Sequence, residues 1–575
     1  MCDNDAAAIK AVLLQAPFVQ DIIKERGEKE IDDICNDIVT RKMNINMPKA
    51  LAEVLKKSGV RKETTANTDE AGSVPMSVYA AFWERLKPLM TEVYDLAVYR
   101  FDDYNKLGGV FAAAAMFCTL MTRCWYRHFD GDDCRMNPQV YLIGDPASGK
   151  GEAEKIDRII MGPIIAADSV GRQAEAEYKR QQKERSTSSK AQKGDALKRP
   201  EYCIRYLPSR TSNAVFFRRA KNAFEEVDGE KKMLHLYTFD SELDGNTTAQ
   251  SSGAWIGKHD IELKAFHNEF TGVDFANNDS VNEIIQVFYN SVVTGTPVSL
   301  SRKVNLHNVN DGLCSRLATF RMVSDNYKMI APGNRTVNYE KNCRLKQWAF
   351  KFDRLHGELP IKRLVDFTYK LCEESALVAE AEDDKVLDYL RKRAVFYATW
   401  FTVPRIMAKA IERLNSLTPN PSPKGRGGNT SKAESSGKKK GMQGYCSPPY
   451  KGGAGGESGS SDWSSSVMSC VTVEDSDLEF ARLIYDAVIY FQDFFFGSML
   501  QSSWDNVSRE QGRRQRRTNN AAVFASLGKC FTFDEANAAL GKSNAAVSMQ
   551  LTRWTRAGYI KRTKKKEYVK IVESF

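Results

Sequence analysis

No apolar run in the 575-residue chain is long enough to cross a bilayer. The longest, Gly108–Met121, has 14 residues and includes Thr119 and two glycines. A spanning helix needs about 20, so this run reads as a buried helix and no membrane partner is expected. The start Met1-Cys2-Asp3-Asn4-Asp5 is acidic where a secretory leader would be basic. CxxC pairs are also missing. The 12 cysteines are scattered from Cys2 to Cys530, which argues against a disulfide scaffold and for reduced thiols in a cytoplasmic protein. Cys118, Cys124, His128 and Cys134 fall close together, but at no common zinc spacing.

Net charge is missing from most of the chain. Residues 1–510 hold 69 basic and 69 acidic side chains, while residues 511–575 hold 14 lysines and arginines against 4 acids, so the whole surplus of +10 sits there. That asymmetry points to an anionic partner at the C-terminal end, nucleic acid first. Apolar and charged contents of 42% and 27% exclude wholesale disorder. The length suggests three or four units.

The composition and periodicity divide the chain into a helical region over 1–130, an α/β core over 131–330, a helical region over 331–415, a linker over 416–467, and a C-terminal unit over 468–575. Helical spacing marks Ala7–Ile23, Ala50–Lys57, Val78–Leu96 and Leu387–Leu414. Thr418–Val467 holds 11 of the 37 glycines and 5 of the 18 prolines. It has too little apolar surface to offset its ordering entropy. Its Lys438-Lys439-Lys440 run reads as solvated linker.

The densest chemistry follows Val140-Tyr141-Leu142-Ile143, a β-favouring run. Gly144-Asp145-Pro146-Ala147-Ser148-Gly149-Lys150-Gly151 fits G-x-x-x-x-G-K and leads into a helix from Glu152. Backbone N–H groups of such a loop, with the helix N-terminus, wrap phosphate oxygens, and Lys150 reaches the β- and γ-phosphates. Gly144 to Glu152 are therefore the nucleotide-binding candidates. Gly151 stands where Ser or Thr usually contributes a Mg²⁺-holding hydroxyl, which bears on hydrolysis more than on binding.

Leu234–Phe239 reads as a buried strand with Asp240 and Glu242 at its carboxyl end, where open α/β sheets bind ligands. Asp240 is the candidate for Mg²⁺, with Glu242 beside it to activate water. A third strand is expected over Ile284–Val293. Asn290 or Thr294 would supply its polar tip residue, and Thr294 is nearer the tip. Arg316, before the last apolar run, is the candidate for stabilising γ-phosphate charge in cis or from a neighbouring subunit, and Arg302 is a weaker one.

The ordered set GDPASGKG, FDSELD, AFHNEFTGVDF, YNSVVTGTP and DGLCSRLATF resembles the primase-helicase-type P-loop ATPases of Bacteroidales mobile elements and prophages, over roughly residues 75–410. The resemblance implies a RecA-like or AAA-like core that binds ATP and Mg²⁺ and oligomerises around nucleic acid. It also implies Lys150 as the phosphate lysine, Glu242 as the acidic-motif glutamate and Arg316 as the finger or sensor arginine. No primase polymerase motif is present, so any primase would be a separate chain. Ala174–Pro200 reads as a charged projecting helix and loop.

At the C-terminal end, an apolar-rich helix over Leu478–Leu500 precedes the cluster Arg513, Arg514, Arg516 and Arg517. Three helices and a β-hairpin then outline a winged helix. Ser543 is the expected N-cap of the third helix, whose Asn544, Ser548, Gln550, Arg553 and Arg556 are candidate groove contacts. Val547, Leu551 and Trp554 are expected to face the core. Lys564, Lys565 and Lys566 at the hairpin tip suit phosphate contacts, with DNA favoured over RNA. Two functions are expected from the sequence: an ATP-dependent, helicase-like motor, or a nucleotide-sensing DNA-binding regulator or replication-initiation adaptor without turnover.

Overall fold

The computed structural model describes residues 74–187, 201–227, 229–243, 259–272, 283–306, 308–324, 337–417, 463–510, 520–564 and 566–572. The chain divides into two compact units, Met1–Pro75 and Met76–Phe575, and the elements below belong to the second. The helices expected at Ala7–Ile23 and Ala50–Lys57, the loop after Thr187 and the linker up to residue 462 lie outside the described residues.

Helix α1 (Lys106–Leu120) carries the long apolar run, and every residue from Leu107 to Leu120 is buried. It lies against the central sheet. The approach is close at Gly108, where an added Cβ would fall within 2.5 Å of the Phe320 ring. No described helix is long and apolar enough to cross a membrane.

The centre of the unit is a five-stranded parallel sheet. Its strands, in chain order, are β1 (Gln139–Gly144), β2 (Tyr206–Leu207), β3 (Leu236–Asp240), β4 (Tyr289–Gly295) and β5 (Ala318–Met322). In space the order is β5-β1-β4-β3-β2. All pairs are parallel, with Val140 opposite both Val292 and Ala318, and Val293 opposite Asp240. Every residue of β1 and β4 is buried, as a parallel sheet covered on both faces requires. Tyr141, Ile143 and Val293 enter one cluster with Leu300, Leu313, Leu390 and Phe496. Helices α2 (Gly151–Ile160) and α3 (Gly162–Thr187) follow β1, and α4 (Pro297–Lys303) follows β4.

The helical region after the sheet holds α5 (Lys362–Glu382) and α6 (Lys385–Leu417), joined by Asp383 at φ 58° and Asp384. Asp384 caps the start of α6, accepting from the N–H groups of Val386 and Leu387 at 2.9 and 3.0 Å. Helix α7 (Asp475–Gln492) packs between α6 and β5 and brings Phe491 to 4.5 Å from Phe320, centroid to centroid.

The C-terminal end comprises α8 (Asn520–Ser526), β6 (Cys530–Thr532), α9 (Phe533–Leu540), α10 (Asn544–Arg556), β7 (Ile560–Lys564) and β8 (Glu567–Lys570). Its strands form an antiparallel sheet in the order β6-β8-β7.

Four sequence expectations change in detail. The strand expected over Ile284–Val293 is two: Ile284–Gln286 pairs with Phe270–Gly272 in a separate hairpin, and only Tyr289–Gly295 enters the main sheet. The helix expected over Val78–Leu96 is interrupted at Lys87–Leu89 by Pro88, which cannot supply an interior N–H. The helix expected over Leu478–Leu500 passes through a π turn at Asp493–Gly497. The low-complexity stretch gives way to a helix at Trp463–Ser469, which buries Val467.

Candidate functional site

The loop between β1 and α2 stands at the carboxyl end of the sheet. Two residues take left-handed backbone angles there, Ala147 at φ 66° and Gly149 at φ 82°. Gly149 adopts this conformation without Cβ strain. The ammonium of Lys150 is turned back over the loop. It donates to the carbonyls of Gly144, of Asp145 at 3.1 Å and of Gly295 at 3.1 Å. It thus bridges the first residue of the loop and the tip of β4. Burial lowers its pKa. Asp145 opposes that shift and the cation of Arg321 adds to it. Ser148 is buried, and its Oγ has no hydrogen-bond partner among the described residues.

Glu152 was expected to contact the nucleotide. Its carboxylate instead lies inward, paired with Arg100 and with Lys155 at 2.8 Å. Its N–H donates to the Gly149 carbonyl at 3.0 Å. It anchors the first turn of α2 and presents no side chain to the loop. Gly151 begins α2 and is open: an added Cβ would meet nothing within 4 Å.

β4 lies between β1 and β3, so the loop, Thr294 and Asp240 share one edge. Thr294 is buried, and its hydroxyl donates to the Ser241 carbonyl at 2.7 Å. Asp240 is buried at the end of β3 and accepts from the Glu242 N–H at 3.1 Å, while the Glu242 side chain is exposed. Asn290 is ruled out as the tip residue. It sits near the amino end of β4, where its side chain donates to Thr119 and to the Met136 carbonyl.

Arg316 is not brought to the loop. It precedes β5, whose Ala318 is level with Val140 and whose Met322 is level with Gly144. The whole five-residue length of β5, about 17 Å, separates it from the loop's edge. Its Nη1 donates to the Gly312 carbonyl at 3.0 Å, its Nε is buried without a partner among the described residues, and burial lowers its pKa. Within one chain it cannot reach a phosphate held by Lys150. The arginine that does reach the loop is Arg321, at the carboxyl end of the same strand, 2.7 Å from Asp145. Its position after the apolar run was the signal in the sequence, since ligands gather at the carboxyl ends of parallel strands.

Behind the loop, Asp157 of α2 is fully buried and accepts from the hydroxyls of Tyr206 at 2.6 Å and Tyr237 at 2.7 Å. Burial pushes its pKa up to about 6, against the pull of these two bonds.

In the C-terminal unit, Ser543 caps α10, accepting from the Ala546 N–H. Val547, Leu551 and Trp554 are buried as the spacing required. Gln550 is a correction. It is buried and donates to the carbonyl of Ala381 at the end of α5 at 2.5 Å, so it is not a groove contact. Arg553 pairs with Asp383 at 3.1 Å and Arg556 with Glu380 at 3.5 Å. Asn544 is exposed and accepts from Asn537, and Ser548 is exposed beside Met549 and Thr552. Lys561, Arg562 and Lys564 are exposed along β7, with Lys566 at the turn. Lys565 and Arg513, Arg514, Arg516 and Arg517 lie outside the described residues.

Cys118 and Cys124 are core thiols whose pKa values burial pushes up. Among the described residues no group of three potential metal ligands converges. No family model matches the chain, and no curated protein is similar to it.

Proposed function

We propose that the chain is a P-loop ATPase that moves or remodels nucleic acid, with a RecA-like or AAA-like core and a C-terminal winged helix. The observation that carries this reading is the shared edge of the sheet. Lys150 on the β1 loop, Thr294 at the tip of β4 and Asp240 at the end of β3 stand on three adjacent parallel strands. Lys150 is hydrogen-bonded directly to β4, and Thr294 is hydrogen-bonded to the turn that follows Asp240.

The residues of the loop fit a polyphosphate. The buried Ser148 hydroxyl, without a partner among the described residues, lies in the loop. Among the described residues the hydrogen-bond acceptors of Lys150 are neutral carbonyls, so a phosphate oxygen is a better partner for its charge. The N-terminus of α2, ten residues long, begins at Gly151 and adds its dipole. Asp240 would hold a Mg²⁺ ion, which neutralises phosphate charge when bound. Glu242, exposed two residues on, stands where a water could be activated. Thr294 holds the backbone of that turn in place.

The order α8-β6-α9-α10-β7-β8, with the hairpin packed beside β6, supports the winged-helix reading. Exposed cations along the hairpin favour a phosphate backbone as its partner. The membership suggested by the motifs, among primase-helicase-type ATPases of mobile elements, belongs to the same proposal, as do a homo-oligomer and a separate primase.

The test is the ATPase rate of the full chain with and without single-stranded DNA. Turnover stimulated by DNA and lost in Lys150→Ala is expected. A rate that survives Lys150→Ala would sink the motor reading. Gly151 favours a second reading, a nucleotide-sensing regulator. It predicts tight ATP binding with negligible turnover.

A further inference from the structure

Two sides of the phosphate loop differ, and the difference gives a bound nucleotide a direction. This inference rests on the nucleotide reading of the loop. On one side of β1 lie β4 and then β3, with Thr294 and Asp240; on the other lies β5, ending at Met322. The acids belong with the terminal phosphate. The remainder of the nucleotide must then leave the loop on the β5 side.

Arg321 stands at that exit. Its side chain is 13% exposed, and Nη2 donates to Asp145 Oδ2 at 2.7 Å. Nη1 is buried and has no hydrogen-bond partner among the described residues. The tip of the strand is fixed by the Tyr79 hydroxyl, which donates to the Arg321 carbonyl at 2.6 Å. Next to it, the Asn105 side chain exchanges two hydrogen bonds with the backbone of Val323, at 3.1 and 2.8 Å. The backbone that carries the guanidinium is therefore fixed. One arm is on an acid that belongs to the loop, and the other is unused. Arg321 also sits close enough to Lys150 to lower its pKa. Two cations thus face the same small loop, and Asp145 is the carboxylate between them.

We propose that Arg321 binds the nucleotide at the α- and β-phosphate end of the loop, with the Asp145 carboxylate occupying the guanidinium until a phosphate oxygen replaces it. That part of the ligand is common to ADP and ATP. Arg321 then sets affinity for both without selecting between them, and it is distinct from residues on the β4–β3 side, which act on the terminal phosphate.

The experiment is calorimetric titration of the full chain with ADP and with ATP. In Arg321→Ala both Kd values are expected to rise about tenfold, as removal of one charge-assisted hydrogen bond implies, with their ratio constant within twofold. The KM for ATP should rise by the same factor, with kcat falling less than twofold. Arg321→Lys, which keeps the charge, should recover part of the affinity. Asp145→Ala, which frees the guanidinium, should bind both nucleotides at least as tightly as the wild type. The assignment is overturned if Arg321→Ala weakens ATP more than fivefold beyond ADP, since the arginine then acts on the terminal phosphate. It is also overturned if Asp145→Ala and Arg321→Ala lose affinity equally, since the ion pair is then a strap that shapes the loop. A wild-type chain that binds neither nucleotide overturns the nucleotide reading itself.

Discussion

The indole of Trp554 donates a hydrogen bond to the carbonyl of Ala381, 3.0 Å away and 173 positions earlier in the chain. Gln550 donates to the same oxygen, and Asn520 to the next carbonyl, that of Glu382, at 3.2 Å. The C-terminal helices are therefore seated on the end of α5, and Ala381 is part of their apolar core.

Trp554→Ala should unseat them. The ring is fully buried and stands edge-on to Phe524, with centroids 5.0 Å apart. Its removal should cost about 3–5 kcal/mol, as large-to-small core changes do. Urea unfolding followed by tyrosine fluorescence should show an early transition absent from the wild type. A single transition at the wild-type midpoint would contradict the seating.

Gly151→Ser should be well tolerated and active. The position is open, and replacing glycine within a helix favours folding by up to about 1 kcal/mol. The new hydroxyl stands at the place from which such loops hold Mg²⁺. ATP turnover at limiting Mg²⁺ should rise severalfold. If the substitution instead abolishes turnover, the proposed placement of the metal is wrong.

Asp240→Asn should lower kcat on the order of a hundredfold while leaving ATP binding within a few fold, because it removes charge from the metal side and not from the loop. Thr294→Val should lower kcat more mildly, by about tenfold. It keeps the side-chain volume and removes the donor to the Ser241 carbonyl. Equal rises in KM for the two variants would place them in binding instead.

Asp157 makes the stability of the protein depend on pH. Its pKa is raised in the folded state, to about 6 from an ordinary 3.8. The folded state therefore binds the proton more tightly than the unfolded state. The contribution is fully present below about pH 4 and is lost as pH rises through about 6, by at most about 3 kcal/mol. The stability of Asp157→Asn minus that of the wild type, from urea midpoints, should thus increase between pH 4.5 and 7.5. A difference that is flat or falls with pH would mean that the carboxylate is ionised throughout.

Replacing Lys561, Arg562 and Lys564 by alanine should weaken DNA binding across all sequences and reduce the salt slope of log K by about 0.9 for each phosphate no longer neutralised. Ser548→Ala and Arg556→Ala, on the outer side of α10, should shift sequence preference more than the slope. An unchanged slope in the hairpin variant would remove β7 from the interface.

The loop between β1 and α2 was legible in the sequence because its determinants are local: a glycine pair, a lysine, a strand before and a helix after. The long buried helix was legible for the same reason, as were Val547, Leu551 and Trp554, whose spacing alone sets their side. Arg316 and Arg321 show where local reading ends. Both lie on or beside the same five-residue strand, and only the parallel direction of β5 decides which of them shares an edge with Lys150. The break between Ile284–Gln286 and Tyr289–Gly295 was invisible because both pieces are β-favouring and differ only in their distant partners. Gln550 reads as an exposed polar residue until a carbonyl 169 positions away takes its side chain. The exposed cations of β7 could be found by counting charge, which needs no fold at all.

The short joint at Asp383 and Asp384 ties two distant parts of the fold together. Helix α5 ends there in the seat of the C-terminal unit, and α6 starts two residues later. One further span along α6, the hydroxyl of Tyr397 accepts from the Gln139 N–H at 3.2 Å and donates to the Arg316 carbonyl at 2.5 Å. These are the roots of β1 and β5, the strands that carry Lys150 and Arg321. One continuous path of contacts thus runs from the seat of the C-terminal helices at Ala381, across the joint and along α6, to the bases of the strands whose far ends border the loop of Lys150.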